Sequence, residues 1–142
     1  MNDNFTVLNE IHKGLVMGME SISVVSSKVG DKNFKQLLEE EYAQYGNLLD
    51  RVNTSLEGAG KQGEDTSASQ KVMGWTSIQM STITDKSNSH IAEMLINGTT
   101  MGIIKGRKLY NQYPDISKET RQTLDDFVQE QEHQVEKLKE WL

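Results

Sequence analysis

Glu130 and His133 have the types and the spacing of metal ligands. They stand three residues apart, and on a helix that spacing puts a carboxylate and an imidazole on one face. A second feature is Gly98-x-x-x-Gly102-x-x-x-Gly106, inside the stretch from Ile91 to Tyr113 that reads as a helix. Each helical glycine costs about 1 kcal/mol relative to alanine, because glycine has the most backbone freedom to lose. Steps of four keep the three on one side of the helix. That side is expected to be a close helix-packing face, where small residues let backbones approach, or a groove left open for a ligand. The glycine spacing lacks the Lys-Ser/Thr ending of a phosphate loop and sits within a helix, so it is no nucleotide motif. Serine, histidine and aspartate show no spacing that argues for nucleophilic catalysis. His12 and His90 stand alone and are expected at the surface. With no cysteine there is no disulfide, thiol nucleophile or zinc finger.

Composition narrows the class. A chain of 142 residues with one proline, Pro114, is one domain that permits long uninterrupted helices. A net charge of −6 argues against a nucleic-acid partner, since phosphate binding wants clustered Lys and Arg. No run of about 20 apolar residues is present, so no membrane span is expected. No apolar segment follows a basic N-terminus, so no signal peptide is read and the expected location is cytoplasmic.

The elements that must position these groups are four long helices and a short one, at about 5–29, 31–56, 70–83, 88–113 and 117–142. The first carries Leu8, Ile11, Leu15, Ile22, Val25 and Val29 in steps of three and four, with Gly18 filling the gap. Asn4 or Thr6 is its expected N-cap. Gly30-Asp31 ends it and caps the second helix, whose stripe is Phe34, Leu38, Tyr45, Leu48 and Val52. Glu41 falls inside that stripe and is the one carboxylate that the pattern sends inward. Gly58 to Ser69 is a flexible connection by composition, and Val72 to Ile83 a short helix anchored by Trp75 and Ile78. The third long helix turns Ile91, Leu95, Gly98, Gly102, Leu109 and Tyr113 inward, and Pro114 stops it. Asp115 or Ser117 caps the fourth, with Leu124, Val128, Gln131, Val135, Leu138 and Leu142 as its stripe. The reading is all-α: a four-helix bundle of two antiparallel hairpins joined by a long crossover, the order of ferritin-like bundles.

In that helix order, in Met73-Gly74-Trp75 opening the crossover helix, and in the closing run Glu132-His133-Gln134-Val135-Glu136-Lys137-Leu138, the chain resembles an uncharacterised bacterial ferritin-like four-helix family related to the rubrerythrin and ferritin group. It resembles small spore-coat proteins with this bundle less closely. The resemblance spans nearly the whole chain and rests more on layout than on local motifs. It implies a di-iron or di-manganese site, with one Glu from each of two helices and Glu-x-x-His from each of the other two.

Helical phase argues that this site is incomplete. At about 100° per residue, His133 points away from the fourth-helix stripe and Glu130 lies to one side. Glu20 and Glu93 also face outward. At about 1.5 Å per residue, the family's ligand positions fall near Met19, Glu41 with Gln44, Thr99, and Glu130 to His133, with Gln131 in the layer of Glu41. Met19 and Thr99 cannot stand in for carboxylates toward a hard cation, and Gln44 occupies the place of a histidine. No metal ligand or catalytic residue is therefore assigned, and no cofactor is expected; iron or manganese is the alternative. Glu41, Thr99 and Gln131 are expected instead to form a buried polar layer, with Gln131 hydrogen-bonding Glu41 and the Thr99 hydroxyl assisting. Lys105 is expected to snorkel rather than pair with Glu41.

The methionines fall at or beside helical seams, with Met17, Met19, Met94 and Met101 expected as one cluster by the glycines. Trp141 and Leu142 are expected to close the bundle end, or to contact another chain; ferritin-like bundles often assemble, and the reading leans to a homodimer. The function expected is a non-catalytic structural or interaction module. The alternative is an oxidoreductase or metal-storage protein with a reduced ligand set. A small apolar ligand on the glycine face is a third reading.

Overall fold

A computed structural model describes residues 2–58 and 83–142, and all regular structure in them is helical. The helices are α1 (Asp3–Ser26), α2 (Lys32–Gly58), α3 (Asn88–Gln112) and α4 (Lys118–Lys139). Most of the short helix expected at 70–83, with Trp75 and Ile78, lies outside the described residues. Ile83, its last residue, is in no helix and packs at the edge of the core.

Short polar side chains set the helix starts. The Asn2 side chain caps α1, accepting from the Asn4 amide at 3.0 Å. This corrects the expected Asn4 or Thr6 cap. Asn4 instead accepts from the Ser117 amide at 2.7 Å, tying the start of α1 to the start of α4. Asp31 caps α2 through the amides of Asn33 and Phe34. Ser87 caps α3, and Ser117 caps α4 by accepting from the Thr120 amide at 3.1 Å. These side chains satisfy amides that a helix start leaves open.

The contacts fix the helix directions. His12 meets Asn53 and Gly18 meets Tyr45, so α1 and α2 are antiparallel. Gly102 faces Gln131 and Gly106 faces Val128, so α3 and α4 are antiparallel as well. Asn4 meets Ser117 and Gly14 meets Phe127, so α1 and α4 run the same way.

The core is apolar. It includes Ile11, Leu15 and Val25 of α1, Phe34, Leu38 and Val52 of α2, Ile91 and Leu95 of α3, and Leu124 and Leu138 of α4. Both α1 and α4 pack against all three other helices. They occupy the short diagonal of the bundle and are buried over a broader arc than a single seam. That arc takes in His12, which the sequence reading put at the surface. It also buries Phe127 and Gln134, which the fourth-helix stripe omits, while Val135 is only half-buried.

The far end of the bundle is closed by Trp141, stacked on Phe34 with ring centroids 4.8 Å apart. Leu142 does not share in this closure: α4 ends at Lys139, and Leu142 is 60% exposed.

Candidate functional site

Glu41 sits in the middle of the apolar stripe of α2 and is 4% exposed. Its Oε1 is buried and has no hydrogen-bond partner. A carboxyl so placed resists ionisation, because the charged form loses its hydration without compensation. Burial pushes its pKa up from 4.5 to about 8, and the nearby Glu130 carboxylate pushes the same way. Lys137 opposes the shift, and Glu40 adds to it more weakly. At neutral pH this side chain is mostly a neutral carboxylic acid.

Tyr45, one turn further along α2, forms the neighbouring part of the layer. Burial raises its phenol pKa, and the charges of Glu41 and Glu130 raise it further; a side-chain hydrogen bond with Thr99 works in the other direction. Gly18 makes room for this ring, since a Cβ there would lie 2.6 Å from Tyr45 Cε2. The Thr99 hydroxyl also donates to the Leu95 carbonyl at 2.7 Å. Thr99 is half-buried and serves Tyr45 and its own helix, not Glu41.

Gln131 is buried at 3% exposure, but the hydrogen bond expected with Glu41 does not form. Its Nε2 donates to the Phe127 carbonyl at 3.3 Å, and its Oε1 lies over Gly102, where a Cβ would collide with it. The glycine permits the amide to fold down against α3. The nearby Gln134 Nε2 instead donates to Glu130 Oε1 at 3.4 Å.

The glycine face divides. At Gly106 an added Cβ would stand 2.5 Å from Val128 Cγ2, so α3 and α4 approach closely there. Gly98 is a correction: it is exposed and has open space where a Cβ would be. A step of four advances about 400°, so over eight residues the three glycines fan across about 80° and do not share one line. Among the described residues, one open groove is lined by Ile22, Lys35, Leu38 and Tyr42 and another by Asp50, Arg51, Glu119 and Thr123. Neither is lined by the α3 glycines. The methionine cluster is also corrected, because Met101 is 71% exposed. Lys105 pairs with Glu10 of α1 at 2.9 Å.

The donor set does not fit the two-metal site that a ferritin-like bundle implies. Glu130 is half-buried near Glu41, but His133, Glu20, Glu93 and Gln44 are all exposed. Among the described residues, no three His, Asp or Glu side chains are placed to hold a metal ion. A di-metal centre needs a Glu from two helices and Glu-x-x-His from two more. Sequence reasoning missed His12 as an interior group. Its Nδ1 lies 2.9 Å from Asn53 Oδ1 across α1 and α2.

The chain matches no known protein family, curated protein or solved structure. No helix among the described residues is long and apolar enough to cross a membrane.

Proposed function

We propose that this chain is a non-catalytic bundle of the ferritin-like type, acting in the cytoplasm as a structural or interaction module. The helix order is supported by α1 and α4 running the same way while each hairpin is antiparallel, which asks for a long crossover between α2 and α3. One observation carries the functional reading: Glu41 is the only acid among the described residues that is fully buried, and its Oε1 has no partner. A metal-binding layer would surround such a carboxylate with further acids and imidazoles. Here the groups that act on it are Tyr45, a half-buried Glu130, Lys137 and Glu40, with no imidazole among them. Its role is to define packing, as a neutral polar group inside an apolar stripe. A second reading, a di-iron or di-manganese protein with an incomplete ligand set, draws on the proximity of Glu41 and Glu130.

Elemental analysis of protein made in iron- or manganese-supplemented medium separates the two. The structural reading expects metal well below one ion per chain, unchanged in Glu41→Gln. One or more ions per chain, lost in Glu41→Gln, would establish the second.

A further inference from the structure

The outer face of α3 carries a second apolar seam. Met94, Asn97, Met101 and Ile104 follow one another in steps of three and four, the spacing of a heptad seam. Met94 packs against the edge of the core, while Met101 and Ile104 turn outward, away from the inward seam of Ile91, Leu95 and Leu109. Met94 is half-buried, Met101 is 71% exposed and Ile104 is 51% exposed. Scattered exposed apolar residues are ordinary on a protein surface. Two large ones three residues apart on one helix are a contiguous strip. The exposed Gly98 beside them leaves a notch open to a side chain from outside.

The charges flanking the strip select its partner. Glu93 lies N-terminal to it and Lys108 C-terminal, and neither has an ion-pair partner among the described residues. The midpoint between them falls at Thr100 and Met101, in the centre of the seam. An identical helix laid antiparallel across this point, about a two-fold axis, sets each Glu93 against the Lys108 of the other copy. A parallel arrangement sets like against like. Met101 of the two copies then meets at the centre, with Ile104 of each copy packing beside it. A two-fold contact needs a self-complementary surface, and this helix face has one.

We infer that α3 is a self-association surface, pairing two copies of this chain antiparallel through Met94, Met101 and Ile104 with Glu93 and Lys108 as reciprocal ion pairs. The surface lies on the outside of the bundle, so the inference does not depend on how the Glu41 layer is read.

Sedimentation equilibrium of the full chain over a concentration series tests it, with far-ultraviolet circular dichroism as the control for folding. Wild type is expected to show a monomer–dimer equilibrium. Met101→Glu, at an exposed site, is expected to be monomeric with an unchanged helical spectrum, and Ile104→Glu provides an independent second variant. Glu93→Lys is expected to weaken the dimer several-fold, and Glu93→Lys with Lys108→Glu to restore it. A monomeric wild type across the series would overturn the proposal. So would a dimer that survives both Met101→Glu and Ile104→Glu. A dimer lost in those variants but indifferent to Glu93→Lys would overturn the antiparallel register.

Discussion

Replacing Glu41 by glutamine keeps the shape of the protonated acid and removes its ability to ionise. The folded-state pKa is pushed from 4.5 to about 8, chiefly by burial and then by Glu130. The sign follows from proton binding. Between these two values the folded chain retains a proton that the unfolded chain has released, so this group lowers stability as pH rises. The loss begins near pH 4.5, grows through neutrality, and levels off above about pH 8. At about 1.36 kcal/mol per pKa unit, the full loss is roughly 4–5 kcal/mol and about 3 kcal/mol of it is present at about pH 7. That is a large fraction of the stability of a domain this size. Urea unfolding of wild type and Glu41→Gln, measured in parallel from about pH 4.5 to 9, isolates the contribution, since other titrating groups cancel in the difference. Glu41→Gln should be nearly isostable at the acid end and increasingly the more stable protein as pH rises. A difference that stays flat across the range, or that favours wild type at high pH, refutes the reasoning. It would mean that Glu41 gains a counter-charge or hydration in the folded chain.

Three further predictions use the contrasts within the fold. Gly98→Ala meets open space and should stabilise the bundle by up to about 1 kcal/mol through helix propensity. Gly106→Ala drives its Cβ into the buried, β-branched Val128, and should cost about 1–2 kcal/mol net in thermal or urea unfolding. His12→Ala removes the hydrogen bond to Asn53 from a buried position and should cost about 1–3 kcal/mol, against no effect if the histidine were a surface group.

The parts of the fold legible in the sequence are those that depend on one helix at a time. The steps of three and four in α1 and α2 place Ile11, Leu15, Phe34 and Leu38 correctly in the core, and Glu41 with them. The Asp31 and Ser117 caps follow from short polar residues ahead of periodic runs. What was not legible depends on how the helices are arranged around one another. A single-seam reading assumes equal burial of all four helices, but α1 and α4 touch across the short diagonal. His12, Phe127 and Gln134 are buried for that reason. The same arrangement leaves Gly98 exposed on the outer side of α3. The Gln131 amide could not be assigned from spacing either. Two acceptors were within reach in principle, and Gly102 decided between them by opening a place for its oxygen.

The most direct test is the ionisation of the Glu41 carboxyl itself. Carbon-13 NMR of the side-chain carboxyl groups, assigned by comparison with Glu41→Gln, follows one titration against the others. The account predicts that the Glu41 resonance moves near pH 8, far above the ordinary carboxyl value of 4.5. A midpoint near 4.5 would contradict it, because an acid charged at neutrality in that position demands a cation or a counter-charge beside it.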